Sequence, residues 1–267
     1  MELFSLKGKT AIVTGGCGLL GKNHCEALAE VGAKVIVADL DETASQNFAR
    51  QLGDGHTGIA LDVSNDFSVM EAKEVILERY GKIDVLVNNA AINDMFENPT
   101  VALEFSKFEN YPLNLWKKSM DVNVTGVFLC SQIFGSVMAE AGSGSIINIA
   151  STYAITAPDQ KLYQNEKQEQ TFYKSAAYPT TKGAVLSFTK FLAAYWGNKG
   201  IRVNALSPGG VENGQDDFFI KNYSTRTVLG RMAKKTDYKG AIVFLASEAS
   251  SYMTGANLVV DGGWTII

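Results

Sequence analysis

The sequence predicts a single-domain α/β fold, a doubly wound sheet of seven parallel strands flanked by helices. Three observations predict it. Short runs rich in Val and Ile occur seven times in 267 residues, and longer segments of helical period stand between them. The strand runs are apolar throughout instead of alternating with polar residues, which marks strands covered on both faces. Helices between successive strands require crossover connections, and these make the sheet parallel.

The expected strands are Thr10–Thr14, Lys34–Ala38, Gly58–Leu61, Ile83–Val87, Ser145–Ile149, Ile201–Leu206 and Asn257–Val260. The expected helices are Gly18–Val31, Glu42–Leu52, Phe67–Tyr80, Leu113–Ala141, Tyr178–Lys199 and Tyr238–Ser247. Two segments, Ile92–Pro112 and Thr156–Ala177, carry no clear element, and both follow strands. In an open parallel sheet the ligand crevice lies beyond the carboxyl ends of the strands, so insertions there are placed to shape a substrate pocket. The plainer reading of each is a tolerated surface loop. A third region, 213–227, is expected to close over substrate as a lid; its plainer reading is a surface helix.

Composition narrows the function. The chain is 46% hydrophobic and 19% charged with a net charge of -4 and a pI near 5.3. It has no basic field to attract nucleic acid. Cys17, Cys25 and Cys130 stand at no metal-ligand spacing, and two histidines, His24 and His56, are too few to build a zinc site with them, so no metal is expected. The amino terminus has no apolar core of a signal peptide, and no long stretch is free of charge and glycine. The expectation is a cytoplasmic protein with reduced thiols that does not span a membrane.

Directly after the first strand comes Thr14-Gly15-Gly16-Cys17-Gly18-Leu19-Leu20-Gly21. Gly16, Gly18 and Gly21 satisfy G-x-G-x-x-G between a strand and a helix, the setting in which backbone N–H groups and the helix dipole receive a pyrophosphate. The second strand runs into Asp39, 18 residues beyond Gly21 (39 − 21), near the spacing of a ribose-binding acid in a Rossmann fold. A carboxylate accepts from ribose hydroxyls but opposes a 2′-phosphate by about 4 kcal/mol, for unit charges about 4 Å apart at an effective dielectric of about 20. NAD(H) is therefore expected over NADP(H).

Tyr178-Pro179-Thr180-Thr181-Lys182 puts a phenol and an ammonium four residues apart on one helix face. Free tyrosine, with a pKa of about 10, is only about 0.1% ionised at neutral pH. A nearby cation favours the phenolate, so Lys182 is expected to bring Tyr178 toward the working pH as a general base. Ser151 ends another strand beside the crevice, where its hydroxyl could hold a substrate oxygen; a serine there is also a common turn or cap residue.

Over nearly its whole length the chain resembles the short-chain dehydrogenase/reductase family. The matching stretches are Thr14 to Gly21, Leu61-Asp62-Val63, Asn88-Asn89-Ala90-Ala91, Asn123 within Asp121-Val122-Asn123-Val124, Ser151, Tyr178-x-x-x-Lys182, Pro208-Gly209 and Asp261-Gly262-Gly263. The resemblance implies a catalytic tetrad of Asn123, Ser151, Tyr178 and Lys182. In it Tyr178 exchanges the hydroxyl proton, Ser151 orients the oxygen, Lys182 binds the nicotinamide ribose and lowers the tyrosine pKa, and Asn123 holds a water leading from Lys182 to solvent. It also implies Asp62 and Val63 at the adenine, Asn89 and Ala90 along the ribose, Leu20 near the pyrophosphate and Val211 at the carboxamide. Gly15, Gly18, Leu19, Asp39, Leu40, Ala91, Pro208 and Gly209 complete the implied cofactor surface. Without the resemblance, Asp62 reads as a helix cap and Asn88 and Asn89 as turn formers.

The chain departs from the family pattern in three places. Leu19 stands where the short branch has its middle glycine. Asn213 stands where a threonine often bonds the carboxamide. Tyr178 lies 27 residues after Ser151 (178 − 151), about twice the usual interval. The extra segment carries Lys161, Tyr163, Lys167, Tyr173 and Lys174, a rim suited to a polar, anionic or sugar-like substrate more than to a steroid or acyl chain. Together with Gly18 to Gly21 and Ala157-Pro158-Asp159, it is similar to oxidoreductases of flagellin and surface-glycan modification that make nonulosonic acids. The expected activity is interconversion of a secondary alcohol and a ketone. The alternatives are a cofactor-retaining epimerase or isomerase and a nicotinamide-binding regulator without turnover. A homodimer or homotetramer is expected, with Leu186, Phe188, Phe191, Leu192, Tyr195 and Trp196 apolar on more than one face of the catalytic helix.

Overall fold

A computed structural model describes residues 2–93 and 99–267. Its sheet is fully parallel, in the order β3-β2-β1-β4-β5-β6-β7. The strands are β1 Thr10–Thr14, β2 Lys34–Asp39, β3 Thr57–Ala60, β4 Val85–Asn88, β5 Gly144–Ile149, β6 Ile201–Pro208 and β7 Asn257–Val260. All seven expected strands are present, two with the expected ends and the rest with ends moved by one or two residues. In register, Val13 lies between Val37 of β2 and Val87 of β4.

Successive strand side chains point to opposite faces, which explains why the strands are apolar throughout. Ile12, Ile36, Leu86 and Ile146 join one cluster with Phe134, Met138 and Trp196. Ala11, Val13, Val35, Val37 and Ile147 join the other with Leu28, Phe48, Tyr238 and Ile242. The covering helices are α1 Gly21–Glu30, α2 Glu42–Leu52, α3 Asp66–Tyr80, α4 Pro99–Ser106, α5 Leu113–Met120, α6 Gly126–Ala141, α7 Ala177–Trp196, α8 Asp217–Ser224 and α9 Lys239–Ala246. Asp41 and Asn65 cap α2 and α3 by accepting from the N–H groups of Ala44 (2.9 Å) and Ser68 (3.2 Å).

The structure differs from expectation in four places. Helix α1 begins at Gly21 and not Gly18, because residues 15–20 first form a turn in which Gly18 N donates to Gly15 O at 3.1 Å. The run Leu113–Ala141 is interrupted by a π turn at Asp121–Thr125. That 29-residue run contains an 18-residue stretch long and apolar enough to cross a membrane, with a mean hydropathy of 1.5, but α6 packs on β4, β5 and α3 inside the fold. Within Ile92–Pro112 stands α4, while residues 94–98 lie outside the described residues. Region 213–227 contains α8, whose first turn is capped by Asp216 accepting from Phe219 N at 2.9 Å.

The segment after β5 is anchored to the fold by a few buried side chains, with the rest of it at the surface. It forms a 3-10 turn at Gln160–Tyr163 and an antiparallel bridge between Gln164 and Gln170. Leu162 is buried against Tyr223, Met232 and Trp264. Tyr163 packs its ring on Phe172 and on Phe219 of α8. The carboxylate of Asp159 pairs with Arg226 at 2.7 Å.

Candidate active site

The carboxyl ends of β1, β4, β5 and β6 bring the expected site residues together. At β1 the chain turns at Gly15, in the left-handed region with φ +62, a conformation that favours glycine. A Cβ there would meet Ala90 Cα at 2.8 Å, and one on Gly21 would stand 2.0 Å from Gly15 O. The loop is thus folded tightly on itself and on the end of β4, leaving Gly18 and Leu19 exposed at its tip. Leu20 turns inward to the core.

Asp39 ends β2 beside this loop. Its Oδ2 accepts from Cys17 N at 2.9 Å and its Oδ1 from Leu40 N at 2.8 Å, while Leu40 itself is exposed. Asn89 fixes the loop from the other side, its amide donating to Thr14 O (2.9 Å) and Gly15 O (3.0 Å). Thr14 Oγ1 in turn accepts from the N–H groups of Asn89 and Ala90, both at 3.0 Å. The Asn89 side chain is therefore spent on shaping the loop. Asp62 accepts from Ser64 N (2.9 Å) and Ser64 Oγ (2.6 Å), and the cap of α3 is Asn65. Val63 is buried next to Gly126, and Ala91 is exposed. Pro208 ends β6 and Gly209 follows it. Gly209 N donates to Val260 O at 3.0 Å, and Val211 forms a bridge with Ala233.

The residues expected to handle the proton converge on the start of α7. Ser151 is buried and Tyr178 is half-buried, with the serine hydroxyl in the neighbourhood of the phenol. Ser151 Oγ accepts from Tyr153 N at 3.1 Å, so it caps the short turn that follows as well. Lys182, 3% exposed, donates from Nζ to Ile149 O at 2.7 Å, which places its ammonium 5.7 Å from the Tyr178 ring centroid.

Asn123 sits in the π turn with its amide fully used. Oδ1 accepts from Ile92 N (2.8 Å), and Nδ2 donates to Ile92 O (2.9 Å) and to Thr181 Oγ1 (3.1 Å). It ties the segment after β4 to α7, and its side chain has no hydrogen left to donate to the expected water.

Electrostatics correct one expectation. Burial raises the Tyr178 phenol above its ordinary value, only partly offset by the neighbouring Ser151 hydroxyl. Burial also lowers the Lys182 ammonium to about 8. In the protein alone, desolvation outweighs the attraction that was expected to depress the tyrosine.

Sequence reasoning also misplaced Lys174. It is not a rim residue but is buried at 8% exposure, with its ammonium 4.6 Å from the Tyr178 ring centroid. Its position four residues before the tyrosine was the available signal. Lys161 and Lys167 do stand at the surface, as a rim requires.

A family model described as enoyl-(acyl carrier protein) reductase matches residues 19–265. A D-threitol dehydrogenase of Mycolicibacterium smegmatis is 34% identical over 98% of this chain and 95% of its own. The chain belongs to the short-chain dehydrogenase/reductase family. A second member, a 3-alpha-(or 20-beta)-hydroxysteroid dehydrogenase of Mycobacterium bovis, is 36% identical over 97% of this chain and 90% of its own. A solved member, a gluconate 5-dehydrogenase from Burkholderia cenocepacia in complex with NADP and tartrate, superposes with a TM-score of 0.86. It is 32% identical and covers 99% of this chain and 98% of its own. The short-chain dehydrogenase/reductase fold accounts for the tight glycine loop and the acid at the end of β2, which together fit a nicotinamide dinucleotide. The chain is an oxidoreductase of this family acting on alcohols.

Proposed function

We propose that the protein interconverts a secondary alcohol and a ketone on a polyol- or sugar-derived substrate, using NAD(H), with Tyr178 as the acid/base. The observation that carries this reading is the meeting of Ser151, Tyr178 and Lys182 at the carboxyl edge of the same sheet that presents the glycine loop and Asp39. Bound nicotinamide supplies the hydride acceptor or donor. In oxidation the carbinol hydrogen leaves as hydride and the hydroxyl proton passes to Tyr178 Oη, while Ser151 Oγ holds the substrate oxygen. Lys182, held by Ile149, keeps a positive charge beside the Tyr178 phenolate that takes up this proton. Asn123 keeps α7 and the segment after β4 in register around this centre.

The choice of NAD rests on Asp39, whose carboxylate opposes a 2′-phosphate; the gluconate 5-dehydrogenase relative is described with NADP. The polar substrate class draws support from the threitol and gluconate names of two relatives and from the lysines of the inserted segment. A narrower membership among enzymes that make nonulosonic acids draws none from the relatives described. We also read the exposed aromatic row Phe128, Phe191 and Tyr195 on α6 and α7 as a subunit contact of a homodimer or homotetramer. Light scattering is expected to give a multiple of 28.8 kDa.

The test is a titration with NADH and NADPH, followed by nicotinamide absorbance over a panel of polyols, sugar acids and sugar phosphates with Tyr178→Phe as control. NADH preference and turnover lost in the control support the reading. Turnover without added cofactor points to the isomerase, and binding without turnover on any substrate points to the regulator.

A further inference from the structure

The inserted segment delivers a second lysine to the catalytic tyrosine. Lys174 is buried, and its ammonium is nearer the Tyr178 ring centroid, at 4.6 Å, than that of Lys182, at 5.7 Å. The two cations reach the ring from different elements, one from the loop before α7 and one from the helix itself. The position is built. Lys174 N donates to Gln160 Oε1 (2.8 Å), and Gln160 Nε2 donates back to Lys174 O (3.1 Å). Gln170 Nε2 ties that pair to the loop by donating to Gln160 O (2.8 Å) and Phe172 O (2.6 Å). Tyr173 N donates to Ser106 Oγ of α4 at 3.0 Å. The ammonium itself donates to Asn93 Oδ1.

The geometry points to Lys174 as a positioning residue of the reaction, one that shares with Lys182 the stabilisation of the Tyr178 phenolate during proton transfer. The inference rests on the reading of Tyr178 as acid/base. A cation on the face of a phenol ring is attracted to the ring, and it is attracted more strongly once the ring carries negative charge. Among the described residues, the titratable groups that face Tyr178 are Lys174 from the loop, Lys182 from α7, and Tyr153 and Tyr163 from the segment after β5. Both of those phenols are raised by burial, Tyr163 to about 12, and stay neutral. The two lysines are thus the opposing charges to a phenolate, and burial makes their help necessary by raising the phenol.

The test uses the full-length protein with Lys174→Met, Lys174→Gln and Lys174→Arg, each checked for fold by circular dichroism and for NADH binding by fluorescence. For alcohol oxidation, the acid limb of the kcat/KM profile is expected to move to higher pH, by about a tenfold fall in proton concentration, in the two neutral variants. Lys174→Arg is expected to restore it. An unmoved limb in a folded neutral variant overturns the inference. So does a rise in KM confined to acidic substrates, which would make Lys174 a substrate anchor. Ultraviolet difference titration of tyrosinate, against the same protein carrying Tyr178→Phe, reads the phenol without any substrate. A raised Tyr178 transition in Lys174→Gln supports the inference even where no panel substrate turns over, and an unmoved transition overturns it.

Discussion

The backbone N–H of Cys17 donates to Oδ2 of Asp39 at 2.9 Å, so the acid at the end of β2 also holds the glycine loop. The two duties can be separated. Asp39→Asn keeps an acceptor for Cys17 and removes the charge. It is expected to raise the NADPH-to-NADH ratio of kcat/KM by about a hundredfold, within the several kcal/mol of a unit-charge repulsion. Asp39→Ala is expected to raise the ratio similarly and also to lower Tm, because Cys17 N then loses its partner.

Tyr178→Phe removes the phenol and leaves its ring between Lys174 and Lys182. Turnover is expected to fall by about a thousandfold, the usual scale of a positioned acid/base, with the Kd for NADH unchanged within about twofold. Single-turnover absorbance and fluorescence titration check the two halves separately.

Lys182 carries a cost in stability. Its ammonium is lowered to about 8 from 10.5. A depressed lysine penalises the folded state fully below about pH 8, and the penalty fades as pH rises toward about 10.5. Lys182→Met is therefore expected to abolish turnover and yet stabilise the protein at neutral pH by about 2 kcal/mol, once the lost bond to Ile149 O is set against the relieved charge. Denaturant melts at neutral pH and near pH 10 check this, the gain shrinking at the higher value.

His24 gives the opposite pH window. It is fully buried on α1, neither ring nitrogen has a partner among the described residues, and burial lowers it to about 4 from 6.5. Its neutral form contributes stability above about pH 6.5 that is lost as pH falls toward about 4, because the unfolded chain takes up the proton first. His24→Leu is expected to flatten the stability curve across that window by about 2–3 kcal/mol. Melts at about pH 5 and pH 7 read the difference.

The glycines of the loop are expected to differ sharply under substitution. A Cβ on Gly21 would stand 2.0 Å from Gly15 O, whereas one on Gly18 meets the same atom at 3.2 Å. Gly21→Ala is expected to abolish NADH binding or folding outright. Gly18→Ala is expected to keep the fold, with a Kd for NADH weakened by about tenfold. Tm and fluorescence titration distinguish the pair.

Much of the molecule was legible because its signals are local and periodic. The seven strands announce themselves as Val- and Ile-rich runs, and Tyr178 and Lys182 share a helix face by spacing alone. What escaped depends on long-range packing. The burial of Leu162 is decided by Tyr223 and Trp264, far along the chain. Lys174 reads as a solvated cation until the Gln160 and Gln170 side chains are seen to fold its loop onto α7. The direction of the Tyr178 shift was misread because spacing reports the neighbouring charge but not the desolvation that opposes it.

The π turn at Asp121–Thr125 makes the site depend on phase. An α-helix advances about 100° per residue, so deleting one residue from the wider turn would let the helix run straight through. Every residue upstream would keep its helical environment, yet Asn123 would rotate about a quarter-turn away from Ile92 and Thr181. A chain altered in this way would remain helical and apolar while the proposed centre came apart. At this point of the sequence, the number of residues carries functional information that their identities alone do not.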